Sequence, residues 1–291
     1  MVRCRYSSNF GGGGGFLKLD IIGFWYTLKS IIKKINNSYH KYNPAFTLSE
    51  GAMHLTSLPI AARFGFTLAE VLITLCVIGV VSAMTIPTMI TNYQKRETVT
   101  RLKSAYAQLQ LAIKLSESDN DELGGWDLTT GDWFDRYIAP YLKVTKIEFK
   151  DLSDIKSIPY KQISGSRETG LALLRPGFGG SNVYTLLNGI DIIAANEKNK
   201  GLIVDINGVN SKPNQFGKDT FYMVLYPEFG LTFLGMRSTT ECKPPVEGNP
   251  GRDYLKNTNC LSYFCNNRGR GMWCGALIMT DSWTISKDYP W

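Results

Sequence analysis

The residues able to do chemistry in this chain are few, and oxygen donors come first. Asp205-Ile206-Asn207-Gly208-Val209-Asn210, followed by Pro213-Asn214, Gly217 and Asp219, alternates short oxygen-bearing side chains with glycine. Asp205, Asn207, Asn210 and Asp219 make a donor set of the kind that suits Ca²⁺, although no glutamate completes an EF-hand twelve residues on. The same pattern suits an Asx-rich turn between two strands, and that reading is preferred. Calcium is the one cofactor left open, and none is otherwise expected.

Sulfur comes next. Of six cysteines, Cys4 and Cys76 are isolated, whereas Cys242, Cys260, Cys265 and Cys274 cluster near the C-terminus. An even cluster behind a membrane segment reads as two disulfides in an oxidising compartment, with three pairings open. A zinc site is the alternative, but the spacings contain no C-x2-C knuckle. The same tail carries Arg252, Lys256, Arg268, Arg270 and Trp273. Basic and aromatic residues together can hold single-stranded nucleic acid. A solvated disulfide loop with Trp273 and Trp283 in the core is preferred, so nucleic acid is not expected as a partner.

Both histidines, His40 and His54, lie in the first 65 residues. Downstream no imidazole is available for a Ser-His-Asp or Cys-His site or for a histidine-bound metal. No Walker loop, HExxH or GxSxG occurs either. No catalytic constellation is present, and the chain is not expected to be an enzyme. The net charge of +7 is localised too: the first 65 residues hold eight Lys/Arg against Asp20 and Glu50, leaving 24 basic against 23 acidic residues in the remainder.

The element that must position everything else is Gly65–Ile90, GFTLAEVLITLCVIGVVSAMTIPTMI. From Val71 to Gln94 no residue is charged, and a helix of that length reaches ~36 Å, enough for a bilayer core of ~30 Å. Beyond it Val99, Leu102, Tyr106, Leu109 and Ile113 recur at three and four, which predicts that the helix continues to about Ser116 with one apolar stripe. Ser118-Asp119-Asn120-Asp121 and Gly124-Gly125 end it. The remainder predicts a short helix over Trp133–Ile138 and strands at Leu202–Ile206, Phe221–Tyr226 and Leu231–Leu234. A hairpin turns at Asn188-Gly189 within Tyr184–Ile193. The expected class is α+β: a long N-terminal hydrophobic helix packed on a small antiparallel sheet, with a disulfide-containing C-terminal region. The expected divisions are 1–65 as leader or upstream extension, 66–118 as the helix and 119–291 as the globular head.

Gly65-Phe66-Thr67-Leu68-Ala69-Glu70, an apolar run of some twenty residues and Pro87 within it together resemble the cleavage and methylation motif of type IV prepilins and type II secretion pseudopilins. The resemblance covers about 25 residues, and the DxNG…PN…GxD…F pattern from Asp205 to Phe221 resembles a loop of the pseudopilins. It implies a pilin-like fold, cleavage between Gly65 and Phe66 by a membrane prepilin peptidase, and methylation of the new Phe66 amine. It also implies a register role for Glu70, which would pair with the Phe66 amine of the next subunit, and a helix-bending role for Pro87. The implied partners are the prepilin peptidase, sister pilins or pseudopilins, an inner-membrane assembly platform and the lipid bilayer. The implied location is the bacterial inner membrane, single-pass, with the head outside the cytoplasm, and then a periplasmic or cell-surface filament.

The piece before Gly65 is longer than the family's leaders, and Met53 is an alternative start. Ala45–Ala52, AFTLSEGA, echoes the motif but no apolar run follows it. A secretory signal cut after Val81-Ser82-Ala83 conflicts with the apolar run continuing to Ile90. Lipidation at Cys76 conflicts with Leu75 before it. A plain single-span anchor leaves only GFTLAE unexplained. Lys95, Arg96, Arg101 and Lys103 after the span, against Arg63 before it, favour a cytoplasmic head by the positive-inside rule. The resemblance and the cysteines favour the opposite side and are followed.

Overall fold

A computed structural model describes residues 68–150, 154, 157–168, 181–195, 200–238, 242–257 and 262–291. Gly65, Phe66 and Cys260 lie outside the described residues. So do the echo motif and Met53.

One helix, α1 (Leu68–Asp119), runs for 52 residues, or ~78 Å. Its first buried residue is Thr98. Before that point Leu68, Leu72, Leu75, Ile78, Val81, Ile86, Met89 and Ile90 are all exposed. After it Leu102, Ala105, Leu109, Ala112 and Ile113 are buried in steps of three and four, with Val99 and Tyr106 packed alongside. The expected stripe is therefore the core-facing seam, and it is closely packed because alanines alternate with leucines. Pro87 sits inside the helix without ending it. Local hydroxyls serve the carbonyls around it: Thr85 Oγ1 donates to Val81 O at 3.0 Å and Thr91 Oγ1 to Pro87 O at 2.9 Å. By length and composition this helix can cross a membrane.

Among the described residues six strands form one antiparallel sheet in sequence order: β1 (Val144–Lys150), β2 (Ser181–Leu186), β3 (Asp191–Ala195), β4 (Gly201–Asp205), β5 (Thr220–Tyr226) and β6 (Gly230–Phe233). Asn188-Gly189 joins β2 to β3, and Gly189 at φ +76° takes the left-handed conformation that this turn requires. The short helix α2 (Trp133–Tyr137) precedes the sheet, and α3 (Arg252–Asn257) and α4 (Cys274–Thr280) follow it.

The register makes the sheet two-faced. Ala194, Leu202, Met223 and Phe233 are successive cross-strand partners on the face that shares a core with α1. Val183, Ile193, Ile203 and Tyr222 are partners on the opposite face, packed with Tyr160, Val209, Phe216 and Met272. This double burial explains why β4 is buried at every position. Tyr106 stacks on Phe233 with ring centroids 5.6 Å apart and donates to Leu231 O, which pins α1 to β6. The α+β class, the long helix and the antiparallel sheet stand as expected. Strand β1, α3 and α4 are additions to that expectation.

Candidate functional site

The loop between β4 and β5 holds the most unusual chemistry. Asp205 ends β4 and is fully buried. Its Oδ1 accepts the Asn207 N–H at 3.3 Å, while Oδ2 has no partner. Across the ladder, Asp191 opens β3 directly opposite Asp205. Its Oδ2 accepts the Val209 N–H at 2.9 Å, and its Oδ1 is again without a partner. Asn207 uses Nδ2 on Lys212 O, and Asn214 uses Nδ2 on Val209 O; in both the buried amide oxygen is unpartnered. The Tyr160 hydroxyl is a fifth such atom. Asp219 differs, because it accepts the Asn214 N–H at 2.8 Å and the Gln215 N–H at 2.6 Å and so serves as the loop's staple. Asn210 is exposed.

Glycine shapes this loop where a side chain would collide. Gly208 has φ +86°, and a Cβ there would stand 3.3 Å from Asp191 Oδ2. The loop is also fastened to α1: Arg101 donates to Ile206 O at 3.3 Å and Thr98 to Lys218 O at 3.1 Å.

Burial sets the electrostatics. It pushes the Asp205 carboxyl up to about 8, helped by the charge of Asp219. Burial also raises Asp219, against the pull of the Gln215 and Asn214 amides. The Tyr160 hydroxyl is driven far above its ordinary value by burial, and then by the charges of Asp205, Asp191 and Asp219. Among the described residues none of the three forms a salt bridge with lysine or arginine. Nor, among those residues, do three His, Cys, Asp or Glu side chains converge as a metal-holding group by themselves. The buried side-chain atoms left without a partner among the described residues are two carboxylate oxygens, two amide oxygens and a phenol.

Of the residues expected to form a site, Asp205 and Asp219 are buried at the ends of this loop, Asn207 is half-buried in it and Asn210 is exposed in it. Asp191, Asn214 and Tyr160 were not anticipated as donors. Asp191 could have been found only from the β3–β4 register, whereas Asn214 lay within the motif.

The cysteines resolve differently from a metal centre. Cys265 and Cys274 are joined, with Cα atoms 4.9 Å apart, and Cys242 is disulfide-bonded as well. The three thiols are consumed, which removes the zinc alternative. Cys76 is free and exposed on α1. Three cations of the basic tail are paired from within, while Arg268 is exposed. Arg252 pairs with Asp281 and Asp288, Lys256 pairs with Asp288, and Arg270 pairs with Glu168 while lying 5.2 Å from the Tyr263 ring centroid. Trp273 is buried and stacked on Tyr254.

The second candidate surface is the exposed half of α1. Glu70 is its single acidic residue in the first turn, and Pro87 lies on its exposed length. A continuous apolar surface of this extent marks a membrane or partner-helix contact.

Residues 88–291 match the model of a family of unknown function (DUF6613). No curated protein and no solved structure matches the chain.

Proposed function

The chain belongs to this family of unknown function, and we propose from its own residues that it is a structural subunit of a type IV pilus-like or type II secretion pseudopilus filament. One observation carries the reading: a single unbroken helix is bare and apolar for its first half and core-forming for its second. Among the described residues nothing in the head covers the bare half, so it requires lipid before assembly and sister helices after it. The chain is made as a membrane precursor and cut between Gly65 and Phe66. Glu70 then pairs with the Phe66 amine of a neighbouring subunit, because a carboxylate at the edge of hydrocarbon seeks a cation. The head stands outside the cytoplasm, where the disulfide of Cys265 and Cys274 is stable. Prepilin peptidase, sister subunits and an assembly platform are the partners this role needs, and it calls for no catalysis.

The rival role is a membrane-anchored extracellular module that binds DNA or a surface ligand. It is disfavoured because Arg252, Lys256 and Arg270 are paired with carboxylates of the head, which leaves Arg268 as the exposed arginine of that tail among the described residues. Mass spectrometry of the native N-terminus tests the proposal. A mature chain beginning at methylated Phe66 is expected. A chain that retains residues before Phe66, or one cut after Ala83, overturns it.

A further inference from the structure

The base of the head, where α1 leaves its uncharged run, collects cations and aromatic rings. The last uncharged residue of that run, Gln94, and the first buried residue of the helix, Thr98, stand only ~6 Å apart along the axis. Headgroups fill the outer ~5–7 Å of each leaflet. About one helical turn therefore separates the span from the head, and whatever lies level with Thr98 meets headgroups. Thr98 donates to Lys218 O, which sets the 212–218 turn at this level. Lys95 Nζ lies 5.8 Å from the Trp291 ring centroid and Lys103 Nζ 5.9 Å from that of Trp283, which sets the C-terminal residues there as well. Two grooves result on different faces of α1. One, of about 570 Å³, runs between Lys95, Arg96 and Val99 on the helix and Trp283 and Ile285. The other, of about 400 Å³, is lined by Gln94, Arg101, Lys212, Lys218 and Trp291. Among the described residues Lys95, Arg96, Lys103, Lys212 and Lys218 form no salt bridge. The acids nearby are spent: Glu97 pairs with Arg101, and Asp219 accepts the Asn214 and Gln215 amides. Tyr93, 68% exposed, stands two residues nearer the span.

We propose that this base docks on the anionic phospholipid headgroups of the membrane that α1 spans. Cations without a carboxylate attract lipid phosphate, and tyrosine and tryptophan, apolar rings with one polar edge, suit the interfacial layer. The lysine stems lie beside Trp283 and Trp291 and leave their ammonium ends for phosphate. A lipid surface is the fitting partner because the unbroken helix holds this face against the bilayer. The contact gives Lys95, Arg96 and Lys103 a use with the head outside the cytoplasm, where the positive-inside rule gives them none. The inference rests on α1 spanning a bilayer and needs neither cleavage nor a filament.

The test places the full chain in nanodiscs of phosphatidylcholine, to which a trace of lipid spin-labelled at its headgroup is added to quench nearby tryptophan. Labelled phosphatidylglycerol should quench at about one fifth the concentration that labelled phosphatidylcholine needs, a fivefold preference for the anionic lipid. Trp291→Phe should remove much of that quenching. Lys95→Gln combined with Arg96→Gln should reduce the preference to about twofold or less, and so should ~1 M NaCl, where the Debye length is ~3 Å. Inorganic phosphate at matched ionic strength should leave it unchanged. A chain that the discs do not take up overturns the span, and this inference with it. A chain that inserts but is quenched equally by both lipids overturns the docking alone, as does a preference that the folded double variant retains. Displacement by inorganic phosphate assigns the base to soluble anions and overturns the docking too. The lipid, salt and phosphate arms use the parent chain, so they decide the matter if the double variant fails to fold.

Discussion

Leu75 and Leu109 stand on the same helix and should respond oppositely to the same truncation. Leu109 is fully buried between α1 and the sheet, whereas Leu75 is 60% exposed. Removing a buried leucine side chain to Cβ costs ~2–5 kcal/mol, because transfer energy is lost and a cavity remains. Leu109 lies midway along the seam, flanked by Ala105 and Ala112, which are too small to fill the gap, so ~3 kcal/mol is a fair central value. For a folded unit of this size that corresponds to roughly a 6–12 °C fall in melting temperature. Leu75→Ala removes no intramolecular contact of that kind and should stay within ~0.5 kcal/mol, a shift of about 2 °C or less. Near-ultraviolet circular dichroism of the full chain in detergent reads the head through buried Trp133 and Trp273. The companion assay is the yield of sheared polymer from cells, which Leu75→Ala should reduce while its melting is unchanged. If Leu75→Ala lowers melting as much as Leu109→Ala, the helix is not divided between intermolecular and intramolecular work, and the reasoning fails.

Two other outcomes follow from contacts within the head. Arg270→Ala removes a cation paired with Glu168, whose side chain is 1% exposed, so a loss of about 1–3 kcal/mol is expected in denaturant melts, and Arg270→Lys should recover part of it. Cys265→Ser opens a disulfide that spans nine positions. Loop entropy alone sets that cost at ~2–3 kcal/mol, measured as a fall in the urea midpoint at unchanged slope.

The elements legible in the sequence were those whose cause is local. The seam of α1 could be read because leucine, alanine and tyrosine recur at helical spacing, and the β2–β3 hairpin because Asn188-Gly189 names its own turn. Strand β1 was not legible: Lys146, Glu148 and Lys150 interrupt its apolar residues, as suits an edge strand with one neighbour. The helices α3 and α4 have six and seven residues, too few for periodicity to speak. The loop cluster was half legible. Asp205, Asn207 and Asp219 announce a turn by composition, but Asp191 joins them through strand register, and Tyr160 arrives from far upstream. The pairing of Cys265 with Cys274 could not be chosen from spacing, because all three pairings close loops of reasonable length.

The continuity of α1 also governs how force would travel. Between Asn92 and Ser116 the sequence contains neither glycine nor proline, so beyond Pro87 no hinge separates the end of the apolar run from the seated seam. A pull along the axis therefore arrives at Leu102, Leu109 and Ile113 as shear, shared by all of them at once. Cooperative loading of that sort resists rupture better than peeling one contact at a time, and it makes this helix both the handle and the keel of the molecule.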